Sequence, residues 1–392
     1  MNLLCLNKGA DRRLRGGHLW IYSNEVDVRK SPLKSFNPGE QVLVQTNQGK
    51  AMGVAMMNPQ NLICGRMVNR EAVPLDQALL QQRIRSAQAL REQCFDKPFY
   101  RLVFGESDYL PGLVIDRFGD YFCVQTNTAG MDCLKAEVVD TLERLFSPKG
   151  ILLKNDSSSR EQEGLAKEVG VAAGVIPDRV ELEENHTRFV TSLTSGQKTG
   201  WFYDHRTNRR DMQGLVKGKC VLDVFSYVGG WGIQALHAGA QDVVCVDSSQ
   251  PALDMAAENA ALNGLNEKFS AICGLTLDVL KTMVADKRQF DVVVLDPPAF
   301  VKKAKDKKKG EEAYHHHNQL ALRLLKPEGL LISSSCSMHF KREELMNVIR
   351  VAGSQLNREL QVIHQGGQGL DHPVHPAIAE TEYLKAMFVR VC

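Results

Sequence analysis

Strand-like and helix-like segments alternate along the C-terminal half of the chain, and this alternation restricts the fold more than any other feature of the sequence. Five apolar strand-like segments are each followed by a segment of helical periodicity; the strands lie at 220–225, 242–247, 269–273, 291–295 and 330–335, and the helices at 231–238, 251–262, 279–285, 313–325 and 341–356. This pattern predicts an α/β fold with a doubly wound, mostly parallel sheet. Two further strands, at 361–364 and 383–391, follow each other without a helix, which predicts an antiparallel hairpin at the sheet edge.

The rest of the sequence predicts two more domains, since a chain of 392 residues is expected to form two or three. Residues 1–72 contain short strands separated by turns, which is typical of a small β-barrel or sandwich. Residues 73–188 open with an amphipathic helix that ends near Cys94 and continue as a central mixed α/β domain with a hairpin. Residues 189–392 form the third domain. Its seven strands, the last antiparallel, have the architecture of class I S-adenosylmethionine (SAM) methyltransferases.

Composition and charge bear on where the protein is located and what it binds. No apolar stretch approaches the roughly 18 residues of a membrane span. The apolar stretch at the N-terminus is too short for a secretory signal. We therefore expect a cytoplasmic protein. The 10 cysteines contain no Cys-x-x-Cys pair, which predicts neither a zinc module nor a disulfide framework. Residues 1–70 carry ten Lys and Arg against four acids, a net charge of +6 that suits a polyanion such as nucleic acid, although it equally suits solubility alone.

A glycine-rich turn follows the first strand of the third domain, where the chain must pass sharply from strand to helix. Asp223 lies at the strand end and suits an amino group, and Asp247 ends the next strand, 24 residues later, where a carboxylate can bind ribose hydroxyls. A dinucleotide fingerprint is absent, and SAM has no pyrophosphate that would need one. A Gly-rich turn alone often serves packing, and a strand-terminal Asp often caps a helix. Together they predict SAM contacts from Asp223, Phe225, Ser226, Gly229, Gly230, Asp247, Asp278 and, after the fourth strand, Pro297.

The fourth and fifth strands end in Asp-Pro-Pro and Ser-Cys-Ser, and neighbouring strands of this fold should bring Asp296 and Cys336 to one cleft. The pair suits methylation of cytosine at C5, because C5 becomes nucleophilic only when a thiolate adds to C6. Asp296 would bind N3 and N4 of the base and keep N3 protonated. The alternative is that Cys336 is a small buried packing residue, the usual fate of cysteine.

Two basic clusters are candidate RNA contacts. One is the run Arg12, Arg13 and Arg15 beside Trp20, and the other follows Asp-Pro-Pro and comprises Lys302, Lys303, Lys307, Lys308 and Lys309. Both also fit a solvated surface. The run 315–317 is three histidines that would point in different directions on a helix, so we predict no metal site.

The chain resembles the RlmI-type family of bacterial 23S rRNA cytosine-5 methyltransferases over nearly its whole length. Motifs that carry the resemblance lie at 8–25, similar to the opening of a PUA RNA-binding domain, at 105–119 in the central domain, and at 196–206, 221–232, 296–300, 335–337 and 371–375. The resemblance implies that Lys198, Asp204 and Arg206 close over the methionine end of SAM. It also implies a cytosine-1962-type target in naked or partly assembled 23S rRNA, and a homodimer.

Two positions depart from the family pattern. Ala299 stands where many relatives have lysine in Asp-Pro-Pro-Lys-Phe, so any role of that lysine is lost or moved to Lys302 or Lys303. His205 replaces a glutamine in the motif before Arg206. Two other functions remain open: a guanine-N7 or exocyclic-N methyltransferase on the same fold, which would need no thiol, and a non-catalytic SAM-binding or RNA-binding assembly factor.

Overall fold

The computed structural model describes residues 1–392 and divides the chain into two compact units. Unit 1 comprises Met1–Val180, Ser192–Tyr203 and Leu370–Thr381. Unit 2 comprises Glu181–Thr191, Asp204–Gly369 and Glu382–Cys392. No helix is both long enough and apolar enough to cross a membrane.

The first sheet of unit 1 lies within the first 70 residues. Its elements are β1 (Asn2–Cys5), α1 (Asp11–Arg15), β2 (Trp20–Tyr22), β3 (Gln41–Gln45), β4 (Ala51–Met57) and β5 (Ile63–Asn69). The strand order is β1-β3-β4-β5-β2, with β1 parallel to β3 and the other pairs antiparallel. Leu4, Val42, Val44 and Ile21 are fully buried in its core, and in β3 burial alternates along the strand because successive side chains point to opposite faces. The five strands were predicted, whereas α1 was not.

The second sheet of unit 1 has a separate core around Leu102, Ile115 and Val124. Its elements are α2 (Gln77–Cys94), β6 (Phe99–Phe104), β7 (Leu113–Phe118), β8 (Tyr121–Thr126), α3 (Ala129–Cys133), α4 (Lys135–Phe146), β9 (Gly150–Asn155), α5 (Ser158–Gln162) and β10 (Glu168–Gly174). The strand order is β10-β9-β8-β7-β6. The strand β10 was not predicted, because this exposed edge strand shows no burial alternation.

Unit 2 begins with a hairpin and continues as one seven-stranded sheet with helices between the strands. Its elements are β11 (Val180–Glu184), β12 (Thr187–Thr191), α6 (Arg206–Gln213), β13 (Cys220–Val224), α7 (Gly230–His237), β14 (Asp242–Asp247), α8 (Gln250–Leu262), β15 (Phe269–Cys273), α9 (Thr276–Ala285), β16 (Phe290–Leu295), α10 (Lys307–Leu324), β17 (Leu325–Ser335), α11 (Arg342–Gln355), β18 (Leu360–Gly366) and β19 (Lys385–Val391). The strand order is β15-β14-β13-β16-β17-β19-β18. Strands β13 to β17 are mutually parallel, which confirms the predicted doubly wound sheet.

The last two strands form the predicted hairpin, and the final strand lies inside the sheet. β19 is antiparallel to both β17 and β18, so β18 is the edge strand. Ser335 of β17 pairs in register with Lys385 of β19. The end of β17, which leads into Ser-Cys-Ser, and the start of β19 therefore lie side by side.

The helix α10 begins six residues before its predicted start. The segment 307–312 has no apolar side chain and so lacks a helical pattern, but Gly310 lies against residues 300–301. A Cβ atom at Gly310 would come within 2.3 Å of a methyl group of Val301. Close packing at a glycine therefore fixes the first turns of this helix, and Lys307–Lys309 lie on it rather than in a loop.

Candidate active site

The turn from β13 to α7 places Asp223 beneath the start of the helix. Its carboxylate is fully buried, and Oδ2 accepts a hydrogen bond from the backbone N–H of Gly232 at 2.9 Å. The other oxygen, Oδ1, is buried without a hydrogen-bond partner. Burial raises the pKa of Asp223 to about 7, because the charged form is poorly solvated there. A cationic group that reached Oδ1 would satisfy both the orphaned lone pairs and the charge.

Backbone strain is concentrated in the same turn. Phe225 and Tyr227 have left-handed conformations with φ of 65° and 50°, and Gly229 follows with φ of 80°. Such conformations are costly for residues other than glycine and persist where the surrounding structure enforces them, often at ligand sites. Two backbone N–H groups, of Phe225 and Ser226, donate to the carbonyl of Val246 and hold the turn against β14.

The glycines of this turn serve packing against the protein itself. A Cβ atom on Gly230 would lie 3.3 Å from the guanidinium of Arg209, and one on Gly232 would lie 2.8 Å from Val243. These glycines let α7 pack tightly over β14 and α6, which positions the helix N-terminus.

Asp247 ends β14 and uses both carboxylate oxygens locally. Oδ2 accepts from the backbone N–H of Tyr227 and Oδ1 from that of Ser249, each at 2.9 Å. The N-cap of α8 is Ser249, whose hydroxyl accepts from Ala252 N–H. Each Asp247 oxygen keeps a second lone pair, so the carboxylate can still accept from two adjacent hydroxyl groups.

Other predicted cofactor residues lie in different surroundings. Asp278 is on the first turn of α9 with a side chain that is 70% exposed, 3.9 Å from the ammonium of Lys281. Lys198 belongs to unit 1, where its ammonium lies 4.6 Å from the ring centre of Phe202. Pro297 is buried directly after β16.

Asp204 and Arg206 are both buried in unit 2. Asp204 accepts a hydrogen bond from the hydroxyl of Tyr383 at 2.6 Å. Arg206 lies 3.5 Å from the fully buried carboxylate of Glu184, which also accepts from Arg209 at 2.6 Å. The Asp-His-Arg motif thus connects the hairpin β11–β12, through Glu184, with the start of β19.

Asp296, directly after β16, is surrounded by hydrogen-bond donors. Oδ1 accepts from Ser334 Oγ at 2.7 Å and lies 3.0 Å from His205 Nε2, while Oδ2 accepts from Trp231 Nε1 at 3.0 Å. Burial would raise the pKa of Asp296, but the His205 ring and the hydrogen bonds outweigh it and lower the pKa. Asp296 is therefore an ionised acceptor, with one lone pair on Oδ2 still available.

Cys336 follows β17, and its Sγ lies 3.9 Å from the carbonyl oxygen of Pro297. Because Leu295 of β16 pairs with Ser333 of β17, the two strand ends lie side by side, and Asp296 is linked to this turn through Ser334. The structure therefore brings the two predicted reaction residues together. Cys336 is partly exposed, unlike the fully buried Cys64, Cys123 and Cys245.

Sequence reasoning missed the residues that hold the Ser-Cys-Ser turn. The hydroxyl of the fully buried Tyr314 lies 2.8 Å from Ser335 Oγ and 2.9 Å from Ser337 Oγ. Ser337 Oγ also accepts from Val301 N–H, and Lys385 Nζ donates to the Ser337 carbonyl at 2.6 Å. In the sequence, only the serines that flank Cys336 indicated such a network. Tyr314 lies in a predicted helix and Lys385 in a predicted strand, where neither residue belongs to a motif.

The third histidine of the run 315–317 belongs to an aromatic cluster. His317 is 4% exposed, and its ring lies 5.2 Å from that of Phe225 and 5.3 Å from that of Phe300. Burial lowers its pKa, and Nδ1 lies 2.8 Å from the carbonyl of Ala313. This cluster packs beneath the strained β13–α7 turn.

The predicted RNA-binding residues differ in how far their charges are already paired. Arg13 donates to Glu25 at 2.8 Å and stacks on Tyr22, and Arg15 pairs with Asp11 at 2.6 Å. Lys307 pairs with Glu344. The other members of the two clusters are exposed to solvent: Arg12, Lys302, Lys303, Lys308 and Lys309.

The residues at the β13 and β14 ends fit SAM: an orphaned buried carboxylate oxygen suits its ammonium, and a second carboxylate with two accepting oxygens suits a ribose. The seven-stranded sheet and this site define a class I SAM-dependent methyltransferase, and residues 171–342 match the family model described as S-adenosylmethionine-dependent methyltransferase. Residues 4–70 match a PUA-like domain. The cofactor is SAM.

Comparison with known proteins identifies the family. The chain is 35% identical to ribosomal RNA large subunit methyltransferase I of Vibrio cholerae, over 98% of both chains. It is 33% identical to the protein of the same name from Salmonella arizonae, over 99% of this chain and 97% of that one. The chain therefore belongs to the ribosomal RNA large subunit methyltransferase I family.

Solved structures support the same fold. SMU.776, a methyltransferase solved in complex with SAH, aligns over 100% of both chains with a TM-score of 0.85 at 20% identity. A SAM-dependent methyltransferase from Streptococcus mutans aligns over 100% of both chains with a TM-score of 0.83, also at 20% identity. Trm5b of Pyrococcus abyssi aligns over 71% of this chain and 74% of that one with a TM-score of 0.54 at 16% identity. At these identities the comparisons concern the fold alone.

Proposed function

We propose that this protein methylates C5 of a cytosine in 23S ribosomal RNA, of the cytosine-1962 type, with Cys336 as nucleophile. The observation that carries the proposal is the pairing of a partly exposed thiol with an ionised carboxylate at adjacent strand ends, where Asp296 and the Cys336 turn share Ser334. The names of the curated relatives support large-subunit ribosomal RNA as substrate.

The single lone pair left on Asp296 Oδ2 limits how this residue can bind a base. Asp296 stays ionised, so it accepts a hydrogen bond from one N–H group of the base edge and is a poor proton donor. When a nucleophile adds to C6 of cytosine, negative charge develops at N3 and N3 takes up a proton from water. The ionised Asp296 then accepts a hydrogen bond from this N3–H and stabilises the adduct. The carbonyl of Pro297, close to Sγ, is a second acceptor for the exocyclic amino group.

The chemistry begins when the Cys336 thiolate forms a bond to C6, which makes C5 nucleophilic. Bound SAM would supply the electrophilic methyl group that C5 attacks, with the neutral thioether as leaving group. A base then removes the C5 proton, the electrons restore the C5–C6 double bond, and the C6–Sγ bond breaks to regenerate the thiolate.

Within the cofactor site we propose that Asp223 binds the SAM ammonium and Asp247 the ribose, beside the backbone of Phe225, Ser226, Gly229 and Gly230. Pro297, after β16, borders the methyl group in this arrangement. The resemblance adds Lys198, Asp204 and Arg206 at the methionine end. Asp278, whose side chain is 70% exposed, would accept from the adenine amino group; the exposed Leu275, immediately before α9, offers an apolar surface to the ring.

The decisive experiment replaces Cys336 by alanine in the full-length protein and measures methyl transfer to protein-free 23S rRNA, with nucleoside mass spectrometry to identify the product. We expect folding and SAM binding to persist and 5-methylcytosine to disappear, because C5 has no other route to activation. RNA that carries 5-fluorocytosine should trap the wild-type protein covalently, since fluorine cannot leave as a proton does. A Cys336→Ala variant that still methylates, without any trapped wild-type adduct, would instead indicate a nitrogen target such as guanine N7 or an exocyclic amine.

We also propose that the exposed lysines of α10 and the loop before it contact RNA phosphates, together with the basic N-terminal region. Each phosphate contact contributes a slope of roughly −0.7 to −0.9 to log affinity against log salt. Lys308→Ala with Lys309→Ala should therefore flatten the slope for 23S rRNA binding. Lys307→Ala is the matched control, because Glu344 already pairs that charge; it should change the slope least. Equal slopes for all variants would assign the lysines to solvated surface.

A further inference from the structure

Lys385 is a buried lysine at the first position of β19. Its relative exposure is 6%, although lysine is among the residues least often buried. The antiparallel register pairs it with Ser335, the residue before Cys336. Lys385 belongs to no sequence motif, and it has no role in the mechanism proposed above.

The ammonium of Lys385 is held by neutral acceptors. Nζ donates to the carbonyl of Ser337 at 2.6 Å and to that of Tyr383 at 2.9 Å. Carbonyl groups satisfy hydrogen bonds but supply no compensating charge, so burial of this cation is unfavourable unless an anion is near. Burial accordingly lowers the pKa of Lys385 to about 8, which still leaves the side chain mainly protonated at neutral pH.

Cys336 is the anion-forming group placed to compensate this charge. It lies between Ser335, which pairs with Lys385 across the sheet, and Ser337, whose carbonyl Lys385 binds. A negative charge on Cys336 raises the pKa of Lys385 and is the largest influence on it after burial. By the same interaction, the ammonium must favour the thiolate of Cys336 over the thiol.

We propose that Lys385 is a positioning residue that fixes the Cys336–Ser337 turn and stabilises Cys336 as a thiolate. The inference rests on the proposed function, because only a nucleophilic Cys336 needs the thiolate form. An ordinary cysteine is mainly protonated at neutral pH and must be activated by a nearby positive charge to react as a nucleophile.

The other charged groups around Cys336 do not replace Lys385. Asp296, on the adjacent strand end, is an anion and disfavours a second negative charge. Tyr314 is neutral, because burial raises its pKa to about 12.

The same segment connects Lys385 to the Asp-His-Arg motif. The hydroxyl of Tyr383 donates to Asp204, while the carbonyl of Tyr383 accepts from Lys385. The start of β19 thus joins a predicted cofactor residue to the turn that carries the nucleophile. This connection places the thiolate at a fixed position relative to Asp204.

The test measures the thiolate directly, by the rate of iodoacetamide alkylation of Cys336 between pH 6 and 10, read by peptide mass spectrometry in the full-length protein. Lys385→Met removes charge and donors, Lys385→Gln keeps a donor without charge, and Lys385→Arg keeps the charge. We expect the pH midpoint of Cys336 alkylation to rise by roughly 1 to 2 units in the Met and Gln variants and least in the Arg variant. The exposed Cys273 in the same samples is the internal control and should not change.

Midpoints for the Met and Gln variants that match the wild type would overturn the proposal. If Lys385→Met does not fold, the Gln and Arg variants, which keep a donor to the carbonyls, decide the question. Alkylation needs neither RNA nor SAM, so its outcome is independent of methylation by the Cys336→Ala variant, and failure of one proposal is distinguishable from failure of the other. In methylation assays, Lys385→Gln should lose about tenfold or more at neutral pH and recover as pH rises, a profile that a purely structural defect would not produce.

Discussion

Asp223 is fully buried on β13 and Asp296 is mostly buried directly after the neighbouring strand β16, and their surroundings shift the two pKa values in opposite directions. Asp223 receives one backbone N–H and has a pKa raised to about 7. Asp296 is bound by a serine hydroxyl, an indole N–H and an imidazole, and its pKa is lowered. Burial acts on both in the same direction, so the number and charge of the donors decide the difference.

The two carboxylates differ in whether the protein itself supplies their hydrogen-bond partners. Asp223 has an oxygen without a partner, so a ligand ammonium would supply what the protein does not. Asp296 is ionised before any substrate arrives, and its carboxylate is held by His205 immediately before α6, Trp231 of α7 and Ser334 of β17. The first carboxylate therefore has an oxygen without a partner, whereas the second is held in place before any ligand binds.

The largest effect should follow replacement of Asp296 by asparagine, which keeps the size of the side chain and removes its charge. We expect the rate of the methyl-transfer step to fall by roughly 10² to 10⁴, the range for a group that controls a proton in the transition state. SAM affinity should change far less than the rate, because Asp296 lies outside the proposed ammonium and ribose contacts and acts on Asp223 only through its charge. Single-turnover methylation and SAM calorimetry on the same protein would measure both.

Ser334→Ala is the matched control for this prediction, because it removes one donor to Asp296 and leaves the carboxylate in place. Its rate should lie between those of the wild type and Asp296→Asn. An Asp296→Asn protein with the wild-type rate would show that the carboxylate does not take part in the reaction, and the contrast with Asp223 would then concern stability alone.

The second prediction concerns the pH dependence of SAM binding. Asp223 in the ligand-free protein is protonated below its pKa of about 7 and must lose that proton to pair with an ammonium. Affinity should therefore fall as pH decreases from 7 to 5, approaching tenfold per unit, because one proton is released on binding. Isothermal calorimetry in buffers of different ionisation enthalpy would measure both the affinity and the proton release.

Two variants test whether Asp223 is the group that titrates. Asp223→Asn should bind SAM weakly and lose the pH dependence. Asp247→Asn should also weaken binding, by about 1 to 3 kcal/mol for a charged hydrogen bond, but should keep the dependence, because its oxygens are proposed to meet hydroxyl groups. Proton release unchanged in Asp223→Asn would assign the titration to another group.

The elements that sequence predicted well are helices with an apolar period and strands with an unbroken apolar run. The central strands β13, β14 and β16 are buried on both faces and appear as such runs, and Asp247 is recognisable because a carboxylate ends one of them. The exposed edge strand β10 and the lysine-rich start of α10 have no period to read. Their formation depends on pairing with β9 and on the packing of Gly310, which are contacts between distant residues.

In the candidate site, sequence predicted the two proposed reaction residues but not the residues that hydrogen-bond to them and hold the turn. Cys336 and Asp296 stand in short motifs at strand ends, so topology alone predicts that they meet. Tyr314, Ser334 and Lys385 come from a helix interior and from strands, where their residue types have no distinctive spacing. Their roles come from the fold, which closes the antiparallel β19 against β17 and places a lysine beside the cysteine turn.

The smallest effect is expected at His205, where this chain departs from the glutamine of its family. Its ring lies between two partners, with Nδ1 3.1 Å from the amide nitrogen of Asn208 and Nε2 3.0 Å from Asp296 Oδ1. The amide of Asn208 also donates to the carbonyl of Gly367, which fixes it as the nitrogen end. In this network Nδ1 faces a donor and Nε2 faces an acceptor.

A glutamine offers the same pattern, with a carbonyl oxygen for Asn208 and an amide N–H for Asp296. His205→Gln should therefore keep methyl transfer within about threefold of the wild type, since the hydrogen bonds are replaced rather than lost. His205→Ala leaves the Asp296 oxygen with one donor fewer, which should cost about 1 to 3 kcal/mol in kcat/KM, or roughly 5- to 150-fold. Equal losses in both variants would mean that the ring acts by its shape, through its packing against Trp231, and that the preorganisation of Asp296 depends on Ser334 and Trp231 alone.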